Sequence, residues 1–189
     1  MQYGIKAECG INDLKHFHII ECCPPDLAHD VYEGVIPLVV GHVLGELIKL
    51  KVLSLSEIND NIKLFPYTAN DAVNKPQLLT LSKGKVKSTQ TAKESFNLLR
   101  LLPLMIGYKV PQDLPVWTIL LTFLAIVRFL IARKFDEQDF GALQKKIQSW
   151  LASFVEYFQD LRIIPKLHYI LHYTNQIRKH GALSRITTF

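Results

Sequence analysis

Residues 136–158 read DEQDFGALQKKIQSWLASFVEYF, and the apolar positions Phe140, Leu143, Ile147, Leu151, Phe154 and Phe158 recur at steps of three and four. That spacing lays one apolar stripe along a helix of more than five turns, with Asp136 placed to start it. The stripe reads as core rather than as a cofactor box. Working upstream, Asp113 and Pro115 open a second long helix that closes near Arg133 and Lys134, where positive charge suits the negative end of the helix dipole. Thr91 with Glu94, and Ser54 with Glu57, have the spacing of capping boxes and predict helices over 92–106 and 55–64. Asp26 can cap a helix that carries Leu38, Val39, Val43, Leu44, Leu47 and Ile48 on one face, with Pro37 expected to divide it in two. Downstream, Pro165 and Gly181 bracket a last helix.

The rest of the chain is less regular. Residues 3–22 end in His16-Phe17-His18-Ile19-Ile20 before the Pro24-Pro25 stop, and predict one strand. Residues 66–90 carry Asn, Pro and Gly punctuation and the basic cluster Lys83-Gly84-Lys85-Val86-Lys87, the pattern of a mobile loop. The expectation is therefore a single, mainly α domain over residues 1–189: a strand remnant at 1–25, a helical region at 26–160 and a basic helix at 161–189.

With 189 residues, 49% hydrophobic and 21% charged, the chain is an ordinary globular sequence and not a disordered or collagen-like one. The net charge of +5 is unevenly placed: Leu161–Phe189 holds five basic residues and no acid, while the first 160 residues hold 17 of each sign. A basic end that also carries His168, His172 and His180 suits a polyanion, and equally a solvated positive face. Three cysteines, Cys9, Cys22 and Cys23, form no even framework, which points to a reducing, nuclear or cytoplasmic compartment. The apolar run Leu114–Ala132 is interrupted by Arg128, so it reads as a buried helix and no membrane partner is expected.

Three segments could carry chemistry: Cys23-Pro24-Pro25-Asp26-Leu27-Ala28-His29-Asp30-Val31-Tyr32-Glu33-Gly34, then Pro165-Lys166-Leu167-His168-Tyr169-Ile170-Leu171-His172-Tyr173, and Gly181-Ala182-Leu183. Taken singly each has a structural reading, with Asp26 as a helix cap, Asp30 and Glu33 as first-turn acids and Gly34 as a helix end. His168 and His172 stand four apart, so a helix stacks them on one face, away from the stripe of Leu167, Ile170, Leu171 and Ile177. Two imidazoles are an incomplete zinc site, and Asp26, His29 or Cys23 could supply the remainder.

In this order the segments resemble transposase-derived proteins of the CACTA-like group, which pair a Pro-Pro-Asp-x-x-His-Asp-x-x-Glu-Gly stretch with a later Pro-Lys-x-His-x-x-x-His-Tyr stretch. The resemblance runs from Tyr3-Gly4-Ile5-Lys6 to Gly181-Ala182-Leu183. It implies part of an RNase H-like core with a helical insertion, in which Asp, Asp and Glu hold two Mg²⁺ ions for cut-and-paste transposition. It makes Asp26 or Asp30 the candidate catalytic carboxylate. It makes Asp26, His29, His168, His172 and Cys23 candidate ligands of a structural Zn²⁺. Gly181-Ala182 where the group has Gly-Pro, and Thr174 where Pro often follows His-Tyr, are departures from the pattern. The resemblance places the first catalytic Asp before Met1 and the final Glu after Phe189, so the expectation is a chain that does not hold the Mg²⁺ pair and is inactive alone.

The expected residual activities are metal binding and sequence-independent DNA contact, with no small-molecule substrate. The alternative is a non-catalytic helical scaffold that self-associates. An independent metallohydrolase ranks last, because no general base stands beside the histidines. If the resemblance holds, the helix that begins near Asp26 must lie against the helix that carries His168 and His172, with His29 close to the pair.

Overall fold

The computed structural model describes residues 10–17, 22, 24–82, 85–161 and 163–185. Its centre is helix α1, Ala28–Lys49. The first part, Ala28–Val35, is wound as a π-helix and the rest, Ile36–Lys49, as an α-helix. Pro37 does not divide it. Proline in α-winding lacks one N–H and clashes with the carbonyl four residues back, but here it occupies the first α-wound turn. Immediately upstream the N–H of Ile36 reaches back five residues to the carbonyl of Val31, so the wider turn joins the two halves without a break.

Val31, Val35, Val39, Val43 and Leu47, four apart along one face of α1, are all fully buried. Helices α4 (Ala92–Ile106) and α5 (Pro115–Leu130) pack against it, and together they build one continuous core. α1 is also the apolar helix with the length and mean hydropathy, 1.5, of a membrane span, rather than the 114–132 run. Half of its most apolar window is buried inside the fold, which is what a central helix needs.

Local capping rules hold where they were read. Helix α2, Leu55–Leu64, starts at the Ser54–Glu57 box, and α4 starts at the Thr91–Glu94 box. Between them lie a single turn, α3 (Ala69–Ala72), and an antiparallel hairpin of β1 (Thr80–Ser82) and β2 (Lys85–Lys87), with Leu81 opposite Val86. This segment, expected to be a mobile loop, is held by side-chain amides that imitate strand pairing. Asn59 donates to the carbonyl of Leu79 and accepts its N–H at 2.9 and 2.8 Å, and Gln90 does the same for Gln77 at 2.7 Å each. Val86 then packs into the core against α1.

The hairpin is the sheet found among the described residues. The strand expected over 3–22 falls partly outside them, and its described residues, 10–17 and 22, hold the 3-10 turn Gly10–Asp13 and no strand. The mainly helical class therefore stands, and the small sheet among the described residues is at 80–87.

Helix α6, Glu137–Tyr157, is opened by a capping box between Asp136 and Asp139 and packs along α5. Its aromatic face forms a column: Phe123 stacks on Trp150 at 4.7 Å, Trp150 on Phe154 at 5.4 Å, and Phe154 meets Phe158 edge-on at 5.1 Å. The Trp150 indole N–H donates to the Ile119 carbonyl at 3.1 Å, fixing the register of α6 on α5. The last helix is continuous but tightened in the middle: α7 (Pro165–Tyr169), a 3-10 turn (Ile170–His172) and α8 (Tyr173–His180). Gly181 ends it at φ +81°, a conformation that glycine adopts without strain.

Candidate functional site

The π-wound start of α1 and the α7–α8 helix lie against each other, so two segments about 140 residues apart in sequence form one face. Three contacts make the joint. Lys166 Nζ donates to the His29 carbonyl at 2.7 Å. Tyr173 Oη donates to Asp30 Oδ2 at 3.3 Å. The stem of Lys166 crosses directly over Gly34, where an added Cβ would stand 2.4 Å from Lys166 Cδ. Gly34 is thus not a helix end, because α1 runs on through it; it is the place where another chain segment comes too close for a side chain.

Asp26 is spent on structure. Its Oδ1 accepts the N–H groups of Ala28 and His29 at 2.9 and 3.3 Å, and its Oδ2 lies 2.6 Å from His29 Nδ1. Burial works to raise the Asp26 pKa, but the His29 ring and the two amides outweigh it and hold the carboxyl below the usual range. His29 responds in the opposite direction: its hydrogen bond to Asp26, then the charges of Asp26 and Glu33, raise its pKa. Glu33 Oε2 stands 3.8 Å from His29 Nε2, so this exposed imidazole sits between two carboxylates.

Asp30 has a different setting. It is half-buried, and desolvation raises its pKa despite the Tyr173 hydroxyl and the nearby Lys166 charge. Tyr173 is fully buried, and burial, then the Asp30 charge, push its phenol far up, so it stays a neutral donor. Asp30, Tyr173, Tyr169, His172, Asn175 and Gln176 line a cleft of about 490 Å³. Of the two catalytic candidates, Asp30 faces open space and Asp26 caps a helix.

His168 and His172 turn their rings together, with Nε2 atoms 3.2 Å apart and both side chains exposed. Two nitrogens bound at about 2.0–2.1 Å to one tetrahedral ion would sit at nearly that separation, subtending about 100° at the metal. A shared N–H···N hydrogen bond accounts for the same distance without an ion. Among the described residues, no group of three or more His, Cys, Asp or Glu side chains is arranged to hold a metal. The described candidates form two pairs, Asp26 with His29 and His168 with His172; Cys23 lies outside the described residues.

Part of the basic terminal segment also has structural work. Arg178 pairs with Glu137 at 2.7 Å and lies over the Phe140 ring, and Lys166 is held on His29. Lys166 and Tyr173 carry the joint, yet the sequence reading gave them no role. The signal was present, since both flank the histidines inside one motif, but their partners lie too far away in sequence for spacing to reveal. No protein-family model, curated protein or solved structure matches this chain.

Proposed function

We propose that the chain is a transposase-derived helical protein that contacts DNA, with Asp30 as the carboxylate it offers toward a phosphate-bound metal and His168–His172 as a two-imidazole clamp. The observation that supports this reading is the joint itself. The Asp-x-x-His-Asp-x-x-Glu-Gly and Pro-Lys-x-His-x-x-x-His-Tyr stretches meet through Lys166 on His29 and Tyr173 on Asp30. Relatedness to an RNase H-like core belongs to the same proposal.

The fit to metal is partial. The histidine pair suits two positions of a zinc ion, and Asp30, which lines the same cleft as His172, is a further candidate ligand. One cleft carboxylate does not hold a pair of magnesium ions, so no step of phosphoryl transfer is assigned to these residues. Duplex binding read by fluorescence anisotropy against KCl tests the proposal. Affinity should fall with salt with a log–log slope of about −2 to −4, the signature of a few phosphate contacts, and be nearly independent of sequence. An affinity that does not change with salt, or no binding at 50 mM KCl, refutes it.

A second reading is favoured by one surface. Leu64, Leu104 and Tyr108 are 77%, 69% and 72% exposed around a depression that Phe65, Pro66 and the buried Met105 also line. Apolar side chains that open and that close together suit a protein partner or a second copy. Sedimentation of the chain against Leu104→Lys distinguishes the two: a dimer dissolved by the substitution, with no salt-dependent DNA binding, makes the chain a scaffold.

A further inference from the structure

A groove of about 670 Å³ runs along α1 from Gly34 to Lys49, between the hairpin, Phe158 at the end of α6 and Ile164 before α7. Its floor is the small-residue edge of α1, including Pro37, Gly41 and Gly45, and its walls include Leu38, Val86 and Phe158. His42 closes one side, with Nδ1 donating to the Leu38 carbonyl at 2.8 Å and its ring edge-on to Phe158 at 5.3 Å. The two glycines differ in their reason. At Gly41 an added Cβ would meet the Val86 carbonyl at 3.0 Å, so the hairpin's approach requires glycine there. At Gly45 an added Cβ would meet nothing within 4 Å. Packing does not ask for glycine in the interior of this helix, where glycine is unfavourable, and its effect is to leave the groove open.

The groove's polar groups point to the ligand's other end. Lys85 and Lys87 stand exposed on the hairpin rim, and no partner is seen for either among the described residues. Lys49, also on the rim, is paired with Glu46 at 3.2 Å, so the surplus charge of the rim is positive and sits on the hairpin. The Ser88 Oγ beside them is buried without a hydrogen-bond partner among the described residues. An apolar trough of this size with a few polar groups at one end has the makings of a small-molecule site.

We propose that this groove binds an amphipathic organic anion, an acyl carboxylate whose chain lies on the Gly41–Gly45 floor and whose head group meets Lys85, Lys87 and the Ser88 hydroxyl. The proposal does not depend on the DNA-contacting reading, although Gly34, where the joint is made, also lines one end of the groove.

Isothermal titration with decanoate, decanol and decyltrimethylammonium below their micellar concentrations tests the proposal on the full chain. Decanoate should bind one to one, and at least tenfold more tightly than either other probe. Gly45→Leu, which fills the trough from an open position, should lose at least tenfold in decanoate affinity with no fall in the thermal midpoint. Lys85→Glu with Lys87→Glu should weaken decanoate and leave decanol unchanged. In the unmodified chain, decanoate should shift the amide resonances of Gly41, Gly45 and Val86 and not those along the α5–α6 contact, a readout that holds even if Gly45→Leu fails to fold. Absence of saturable decanoate binding, equal binding by a folded Gly45→Leu, or shifts confined to α5–α6 overturns the proposal. A dimer that Gly45→Leu dissolves, with no decanoate uptake, assigns the groove to a second copy and overturns it too.

Discussion

Substituting Gly34 by alanine should cost more in the parent chain than in a Lys166→Ala background. In the parent chain the new Cβ would stand 2.4 Å from Lys166 Cδ, so the lysine stem must swing away and give up its 2.7 Å bond to the His29 carbonyl. A charged donor on a neutral carbonyl contributes about 1–1.5 kcal/mol at a partly solvated position. Alanine returns about 0.5–1 kcal/mol by restricting the unfolded chain, so the net loss is about 0.5 kcal/mol. In a Lys166→Ala background the stem and its bond are already gone, and the gain is opposed only by the approach of the new Cβ to the His29 carbonyl. Lys166 Cβ, 3.5 Å from the new atom, is an ordinary contact in both, and the 3.1 Å approach to the His29 carbonyl cancels in the cycle. The coupling should be about 1–1.5 kcal/mol by urea unfolding, or a few degrees in thermal midpoint. If Gly34→Ala changes stability by the same amount in both backgrounds, the crossing of Lys166 over Gly34 does not hold α7 on α1.

Asp30 has a raised folded pKa, so its contribution to stability is present below the unfolded value of 3.8 and is lost as pH rises through the folded value. Asp30→Asn, which can still accept from Tyr173, should therefore raise the unfolding midpoint at pH 7 and lose that advantage below pH 4; a midpoint lowered at pH 7 contradicts the burial argument. His29 also has a raised pKa, and its contribution is present below the unfolded value of 6.5 and is lost as pH climbs through the folded value. NMR should find its ring titrating above 6.5 in the parent and lower in Asp26→Asn, and identical curves would remove Asp26 as the cause. With Mg²⁺ or Mn²⁺ the 189-residue chain should not nick supercoiled plasmid; nicking that persists through purification and disappears in Asp30→Ala would give it the catalytic centre not assigned above.

What could be read in the sequence was what depends on neighbours in the chain. The capping boxes at Ser54 and Thr91, and Asp136 as a helix start, put those helices at the right residues, because a cap and its partner are three positions apart. The stripe of α6 gave Phe140, Leu143, Ile147 and Phe154 of its buried face for the same reason, while Leu151 and Phe158 are half-buried and Trp150, which the stripe left out, is buried. The hairpin was missed because it is held by Asn59 on Leu79, twenty residues away, and by Gln77 on Gln90, and side-chain amides leave no periodic trace. At the site, the two motifs and their meeting were legible as patterns. The division of labour was not: Asp26 and Asp30 are both acids at the start of a helix, and only the position of Tyr173 and the cleft separates a cap from an open carboxylate.

The five-residue step at the start of α1 fixes a rotational phase between its two halves. Downstream of Ile36 the helix presents the glycine floor of the groove, and upstream it presents Asp30 to Tyr173. A π-turn holds one residue more than an α-turn over nearly the same rise, so removing one residue between 28 and 35 would restore α-winding with little change in length. Both halves would survive as helix, yet Asp30 and Gly34 would turn away from Tyr173 and Lys166. The same deletion would turn Val31 and Tyr32 out of the core and Gly34 away from the groove it lines, so one residue sets the phase on which the joint, the core and the groove all depend.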